Sequence, residues 1–551
     1  MMNKKKSPRL IQFVFFLSLF SVAQIGLAQS NYTRQDSLRG SITPERAWWD
    51  LKYYHLDVAI DPENRTIKGS VLVQYEVLET STKLQIDLQE PLVIRSVLDE
   101  NGTELSIQSE GNAHFISLVN PQRVGEINSI KIFYGGIPKV AVNPPWDGGI
   151  SWDKDANGKD IIHSNCQGIG ASIWWPNKDH MYDEPDSVLM SVTVPDDLMD
   201  VSNGRLRRVD VNGDGTKTWH WFVSNPISNY VLNINVADYE HFSEVYSGEK
   251  GSLDMDYYVF RGNVEIAKKQ FKDAPRMMEA FEYWFGPYPF YEDGYKLVEV
   301  TSTGMEHQSS ITYGNGFKNG YRGRDGSGTG HGFKFDFIII HESGHEWFAN
   351  NITYKDMGDM WVHESFTNYS ESLFLEYHYT KEIGQEYVRG LRKLIQNDRP
   401  IIGPYEVNQS GSGDMYVKGG NLLNTLRTVI GNDEKWRNVL RGLNSTFYHQ
   451  TVSTDQIENY ISQEAEMDLT TFFNQYLRDY RVPILEYFFR KGQLSYRWAN
   501  CVEGFNMPLN VELKGELVEI TPTQGQWNSI ETDARSVTID PNFYIGLLRT
   551  Y

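Results

Sequence analysis

Apolar and polar residues alternate along the first part of the chain. The alternation covers residues 53–61, breaks at an Asp-Pro-Glu-Asn turn, resumes over residues 67–75, and returns in short runs to about residue 242. Because successive side chains of a strand point to opposite faces, a period of two predicts half-buried β-strands. This part is therefore predicted to be a large antiparallel β domain.

A helical period replaces the alternation from about residue 243. Apolar residues recur three and four positions apart over residues 265–285, and a second apolar helix is predicted over residues 421–430. Residues 295–300 predict an edge strand of a cleft, and alternation returns after residue 480.

A chain of 551 residues is too long for one hydrophobic core, so several domains are expected. The patterns above indicate where each domain lies. We predict a multidomain α+β protein. Its parts are an N-terminal antiparallel β domain at residues 29–242, an α/β domain at residues 243–480 and a small C-terminal β-sandwich at residues 481–551.

Residues 1–28 have the composition of a signal peptide. Three lysines and Arg9 precede an apolar stretch that is too short to span a bilayer, and Gly26-Leu27-Ala28 offers small residues for cleavage. Export to the periplasm or the medium is therefore expected, and no later apolar run predicts a membrane span.

The net charge of -20 argues against a nucleic-acid partner. Two cysteines, Cys166 and Cys501, are too few for a disulfide scaffold; they either pair or remain buried thiols.

The motif with the clearest chemistry is His341-Glu-Ser-Gly-His345. On a helix the two histidines are one turn apart and can hold one metal ion, with Glu342 beside them as a candidate general base. Hydrolytic zinc uses three protein ligands and an open position. Eighteen residues separate His345 from Glu364, which lies in a second predicted helix and completes a His-His-Glu set. Glu371 of that helix either orients a ligand histidine or is a solvated carboxylate.

A pattern this short also occurs by chance in unrelated helices, where the histidines are ordinary surface or core residues. Here Phe-Ile-Ile-Ile at residues 337–340 leads into His341, and Trp347 and Phe348 follow His345. Such surroundings are typical of a helix buried at the floor of a cleft, not of a solvated one.

The motif and its spacing, with W-F-A-N after the second histidine and H-E-S-F-T-N-Y-S-E around Glu364, resemble the aminopeptidase N family of zinc metallopeptidases, the gluzincins. The resemblance implies a thermolysin-like catalytic domain with one zinc ion on His341, His345 and Glu364. Many members continue into a large helical domain over the cleft. This chain is expected to lack that domain and to have a more open cleft.

Two further segments carry the resemblance. Thr303-Gly-Met-Glu-His is similar to the family's G-x-M-E-N, although Thr303 and His307 depart from it. It implies that Gly304, Met305 and Glu306 contact the substrate and that Glu306 binds its α-ammonium; otherwise Glu306 is a solvated strand-end carboxylate.

The second segment, Tyr416-Val-Lys-Gly, is similar to the family's Y-x-K-G and implies that Tyr416 binds the oxyanion. The alternative is a loop tyrosine that only packs against its neighbours.

The S-x-C-Q around Gln167 is similar to the leukotriene-hydrolase branch and implies a second contact to the substrate's N-terminus. The alternative is an amide that satisfies a loop backbone. The glycine-rich residues 313–332 predict a mobile loop beside the cleft.

The expected function is hydrolysis of the N-terminal residue from peptides with a free N-terminus. A zinc endopeptidase is an alternative, but an ammonium anchor at Glu306 would block internal cleavage. Epoxide hydrolysis on a lipid is another, and it requires an apolar tunnel. An exported, non-catalytic binding protein would be expected to have lost a ligand, Glu342 or Tyr416, and all are present.

Overall fold

The computed structural model describes residues 32–550, so the predicted signal peptide lies outside the described residues. Helices α1 (Arg34–Gly40) and α2 (Pro44–Ala47) precede a β-rich region. Its strands are β1 (Trp49–Asp61), β2 (Thr66–Val77), β3 (Lys83–Asp87), β4 (Val93–Asp99), β5 (Ser106–Glu110), β6 (Ala113–Ser117), β7 (Ile127–Gly136), β8 (Gly149–Lys154), β9 (Asp160–Asn165), β10 (Ser187–Pro195), β11 (Met199–Asp200), β12 (Arg205–Val211), β13 (Thr216–Val223) and β14 (Asn235–Ala237).

These strands form three sheets, in the orders β12-β13-β10-β1-β2-β7-β4, β11-β14-β9-β8 and β3-β6-β5. Neighbours in the largest sheet run antiparallel, as predicted, except β1 and β10, which are parallel. Alternate side chains of β1, β10 and β13 enter one core, where Trp49 and Trp221 are buried. The predicted β domain is therefore present, with one parallel pair.

A mixed sheet starts the next region. Its strands are β15 (Tyr239–Gly248), β16 (Gly251–Phe260), β17 (Tyr295–Glu299), β18 (Gly304–Met305) and β19 (Ile311–Tyr313), in the order β15-β16-β17-β19-β18. The predicted division at residue 243 falls inside β15, so a division at Tyr239 follows the sheets more closely. The prediction that residues 295–300 form an edge strand is wrong: β17 is central and all five of its residues are buried. The edge is β18.

Helices carry the rest of this region: α3 (Val264–Gln270), α4 (Asp273–Phe285), α5 (Phe337–Gly344), α6 (Trp361–His378), α7 (Lys381–Gly390), α8 (Val417–Ile430), α9 (Asp433–Thr446), α10 (Thr454–Ala465) and α11 (Thr470–Leu477). Strands β20 (Ile352–Tyr354) and β21 (Gln450–Val452) pair in parallel. The helix predicted over residues 265–285 is two helices, because Pro275 cannot donate to the Phe271 carbonyl and its ring would clash with it.

The C-terminal strands are β22 (Ile484–Arg490), β23 (Gln493–Ala499), β24 (Leu509–Leu513), β25 (Glu516–Ile520), β26 (Asn528–Glu531), β27 (Thr538–Ile539) and β28 (Gly546–Arg549). They form two sheets, β26-β23-β22-β28 and β25-β24-β27. Trp498 and Phe505 share one buried cluster with Phe472 and Tyr476 of α11. The β-sandwich is therefore fused to the helical region through a common core. Across residues 32–550, no helix has the length and apolarity needed to cross a bilayer.

Candidate active site

Helix α5 carries the first two histidines and is fixed at its start by Asp336. The Asp336 carboxylate accepts hydrogen bonds from the backbone N–H groups of Ile338 and Ile339, at 3.1 and 3.4 Å. It thereby satisfies two N–H groups that have no partner within the helix. The isoleucines at positions 338–340 are buried. The apolar run therefore anchors α5 in the core, as predicted, and directs His341 and His345 to one cavity.

Three side chains from α5 and α6 converge as a possible metal site. Nε2 of His341 and Nε2 of His345 lie 3.8 and 3.5 Å from Oε2 of Glu364. The three ligand atoms all lie within 4.8 Å of one another, and all three side chains are buried. A second group of metal-binding type, Glu306, Glu342 and His345, overlaps the first at His345.

The His-His-Glu set offers donor atoms that can bind a cation. Oε2 of Glu364 is buried and has no hydrogen-bond partner among the described residues. Burial lowers the pKa of His341 to about 4, so its imidazole is neutral at pH 7 and keeps a lone pair for a ligand bond. Burial raises the pKa of Glu364 to about 7, and a bound cation would favour its ionised form. Two imidazoles and a carboxylate are a donor set that zinc prefers.

The other ring nitrogen of each histidine is held by the protein. Nδ1 of His341 lies 2.8 Å from Oε1 of Glu371, and Nδ1 of His345 lies 3.1 Å from the Phe348 carbonyl oxygen. These contacts leave each Nε2 for the metal and fix the ring orientation. Glu371 is fully buried and its Oε2 accepts a 2.6 Å hydrogen bond from Tyr387. The solvated alternative for Glu371 is therefore wrong, and Tyr387 is a partner that sequence reasoning missed.

Replacing Glu371 by Gln should weaken zinc binding by roughly 10- to 100-fold, because the amide orients His341 less strongly and makes it a poorer donor. Competition against a chromophoric chelator measures the affinity. Glu386→Gln is the matched control, since it removes a 2.7 Å carboxylate–histidine contact with His331 at the surface. Equal zinc affinities for the two variants would contradict the role of Glu371.

Glu306 lies beside the metal ligands. Its Oε1 accepts hydrogen bonds from Nε2 of Gln167 at 2.7 Å and from the Tyr230 hydroxyl at 3.0 Å. The Gln167 amide also donates to Oε1 of Glu364 at 3.0 Å. The N-terminal β domain therefore reaches into the cleft through Gln167, as predicted, and through Tyr230, which no motif indicated. The solvated alternative for Glu306 is wrong, because its exposed fraction is 2%.

Gly304 and Met305 form the edge strand β18 and line the same cavity as Glu306. A Cβ atom on Gly304 would lie 2.7 Å from Cγ2 of Ile338 and 3.1 Å from Cγ of Glu342. Only glycine therefore lets this edge approach α5 so closely. His307, which departs from the family signature, is fully buried, so the departure is accommodated behind the strand and not in the cleft.

Glu342 and Tyr416 also line this cavity, whose volume is about 330 Å³. Burial raises the pKa of Glu342 well above its ordinary value, and the negative charges of Glu306, Glu364 and Glu371 add to this. Burial, and then Glu364, raise the pKa of the Tyr416 phenol, which keeps its proton at neutral pH. The Tyr416 ring lies 6.3 Å from the His341 ring. A proton acceptor and a proton donor thus lie beside the metal-binding set.

The glycine-rich residues 313–332 lie beside the cleft, as predicted, and contribute Gly320, Tyr321 and Arg324 to its lining. Their predicted mobility stays a prediction. Cys166 and Cys501 are both buried and free, so they do not pair in this structure.

The α+β fold carries a buried His-His-Glu set on two packed helices, with Glu342 and Tyr416 in the same cleft. These features define a metallohydrolase. Comparison with known families is more specific. The model of the peptidase M1 N-terminal domain matches residues 51–231, and that of the peptidase family M1 domain matches residues 270–476. The chain belongs to the peptidase M1 family.

Among relatives, the chain is 22% identical over 343 residues to probable aminopeptidase 1 of Saccharolobus solfataricus, covering 60% of this chain and 42% of that protein. It is also 22% identical to endoplasmic reticulum aminopeptidase 1 of Mus musculus, over 43% of this chain and 26% of that one. The chain thus spans less than half the length of these relatives.

The fold is similar to that of an M1 zinc metallopeptidase variant from Deinococcus radiodurans solved with a Tyr-Ser-Ala substrate. The TM-score is 0.66 at 20% identity, and the match covers 80% of this chain and 97% of that one.

Proposed function

We propose that this protein is a zinc-dependent aminopeptidase that removes the first residue from peptides with a free N-terminus. The observation that carries the proposal is Glu306, a buried carboxylate linked to the metal-ligand carboxylate Glu364 by the Gln167 amide. A buried carboxylate binds an ammonium group strongly, because a charge-assisted hydrogen bond replaces lost hydration. A substrate held there by its N-terminus presents its first peptide bond to the metal site.

His341, His345 and Glu364 would hold the zinc ion. When bound, zinc polarises the scissile carbonyl group and makes the attacking water more acidic. Glu342 accepts the proton of that water on a carboxylate oxygen and then delivers it to the nitrogen of the leaving amine. The environment that raises the pKa of Glu342 helps it to hold the proton between these steps. The Tyr416 hydroxyl donates a hydrogen bond to the carbonyl oxygen as it gains negative charge.

An endopeptidase would need a cleft open at both ends of the substrate. Here Gln167, from the N-terminal β domain, lies across the end of the cleft next to Glu306. An internal peptide bond would bring an uncharged amide to this carboxylate and leave its charge without a partner. The acidic end of the cleft therefore favours the exopeptidase over the endopeptidase.

The test is one peptide pool, offered with free and with acetylated N-termini to the zinc-loaded protein and analysed by mass spectrometry. Loss of single residues from the free pool alone is the expected result. Glu306→Gln should lower kcat/KM on free peptides by about 10- to 100-fold, because the charge of the anchor is lost. Glu265→Gln, whose side chain is 83% exposed, is the control. Internal cleavage in both pools would refute the proposal.

We also propose that the protein is exported, to the periplasm or the medium. Residues 1–28 support this through their basic, apolar and small-residue segments. Sequencing the N-terminus of the protein from the extracytoplasmic fraction should find Gln29 first, and an uncut chain in the cytoplasm would contradict the proposal.

A further inference from the structure

Residues 321–324 form a tight turn at the cleft. The backbone N–H of Tyr321 donates to the Arg324 carbonyl oxygen at 2.9 Å, and the Arg324 N–H donates to the Tyr321 carbonyl oxygen at 3.0 Å. The two central residues, Arg322 and Gly323, have φ angles of 50° and 81°, as a type I′ turn requires. Residues paired across such a turn present their side chains on the same face. Tyr321 and Arg324 accordingly both line the cavity.

The turn is tied to the start of helix α5. The Asn315 amide donates to the Gly320 carbonyl oxygen and to Oδ1 of Asp336, each at 2.8 Å, and its oxygen accepts from the Arg322 N–H at 2.6 Å. Asp336 is the residue that caps α5. The Tyr321 ring packs edge-on against Phe337 at 5.5 Å, and Phe337 stacks on His341 at 5.1 Å. The turn therefore has a fixed position relative to the metal ligands.

Arg324 is the only lysine or arginine among the described residues that line the cavity, which otherwise carries four glutamates. Its side chain is exposed to solvent. Within residues 32–550 its guanidinium forms no ion pair or hydrogen bond. The adjacent Asp325 forms no ion pair with it, and the carboxylate oxygens of Asp325 instead accept from the N–H groups of Ser327 and Gly330 at 2.9 and 2.7 Å. A single unpaired cation at an acidic cleft can bind an anionic group of a ligand.

The edge strand β18 gives the order of contacts along the cleft. Glu306 follows this strand and Thr303 precedes it. The Gly314 N–H donates to the Thr303 carbonyl oxygen at 2.7 Å. The next side chain, Asn315, holds Gly320 and Arg322, so the turn with Tyr321 lies at the Thr303 end of β18. Three extended residues span roughly 10 Å. A peptide anchored at Glu306 and lying along β18 therefore brings about its third residue to the turn.

We propose that Arg324 binds a carboxylate at the third residue of the peptide substrate and makes the enzyme selective for peptides that carry one there. This inference rests on the proposed aminopeptidase function. The carboxylate has two possible sources, the C-terminus of a tripeptide or an acidic side chain of a longer peptide. Both place a full negative charge where the guanidinium can form a bidentate hydrogen bond with the carboxylate.

The test compares kcat/KM for matched peptides that begin with the residue the enzyme removes fastest. Xaa-Ala-Ala is offered as the free acid and as the amide, which isolates the C-terminal carboxylate. Xaa-Ala-Glu amide and Xaa-Ala-Gln amide isolate the side chain. The wild-type protein should favour the charged member of at least one pair by roughly tenfold, mainly through KM. Added salt should reduce the preference, because the guanidinium is exposed.

Arg324→Gln should bring that ratio close to one, and Arg324→Lys should retain part of it. Arg322→Gln is the matched control, because it changes a neighbouring exposed arginine that does not line the cavity, and it should keep the wild-type ratio. A ratio near one in the wild-type protein, or an equal preference in Arg324→Gln, would overturn the proposal. If no member of either pair is cleaved, the aminopeptidase proposal fails and this inference fails with it; cleavage without discrimination refutes the role of Arg324 alone.

Discussion

Replacing Glu342 by Gln should lower kcat by roughly 10²–10⁴-fold, which is the usual contribution of a positioned general base. Glutamine has almost the same shape but cannot accept the proton of the attacking water. Zinc binding should be retained, because His341, His345 and Glu364 form the ligand set without Glu342. Steady-state kinetics on the preferred peptide and metal analysis of the purified variant measure the two effects separately.

The control for this variant is Glu386→Gln, which changes a surface carboxylate on α7 and should keep the wild-type kcat. A Glu342→Gln protein that holds one zinc ion and still works at more than a tenth of the wild-type rate would remove Glu342 from the mechanism. Loss of both activity and zinc would instead show that Glu342 supports the metal.

The metal-binding set could be predicted because its members are close in sequence and lie on regular helices. His341 and His345 are one turn apart, so helical geometry alone brings them together. Glu364 required the added step of a second helix packed on the first, and the apolar positions of α6 supplied it. Glu371 follows two turns later and lies on the same side of α6, which is why its contact with His341 could be expected.

Residues that approach the site through the tertiary fold had no such signal. Tyr230 and Tyr387 are single tyrosines in segments without a motif, and only the packing of the chain brings them to Glu306 and Glu371. Arg324 lies in a glycine-rich segment whose periodicity predicts nothing, and its turn depends on side-chain anchors such as Asn315. Composition predicted a loop beside the cleft but did not show that Arg324 lines the cavity.

The errors in the fold have local causes. An apolar period continues through residues 265–285, but Pro275 ends the first helix because its missing N–H outweighs the pattern. β17 was predicted to be an edge strand, and its sequence contains the charged residues Lys296 and Glu299. Both are buried and bonded: Lys296 donates to the Gly204 carbonyl oxygen and Glu299 accepts from the Phe260 N–H. Polar residues in a strand therefore indicate an edge only when no partner satisfies them.

The substrate end of the cleft is built by two domains, and this affects how variants should be interpreted. Gln167 and Tyr230 come from the N-terminal β domain, whereas Glu306 and the metal ligands belong to the M1 peptidase domain. A change at the contact between the domains would move Gln167 and Tyr230 relative to Glu306 and the metal ligands. Such a change should alter KM for free peptides while zinc affinity, which depends on α5 and α6, is unaffected.

Tyr416→Phe should lower kcat by roughly 10²–10³-fold, or about 3–4 kcal/mol of barrier, if its hydroxyl is the oxyanion donor. The ring remains and only the hydroxyl is lost, so KM and zinc content should change little. Tyr476→Phe is the matched control, since it removes a buried hydroxyl that donates to the Tyr544 carbonyl oxygen at 2.9 Å and does not line the cleft. That control should lower the melting temperature and leave kcat unchanged. If Tyr416→Phe behaves like it, the phenol packs at the site without binding the oxyanion, and the developing charge must be stabilised by the metal alone.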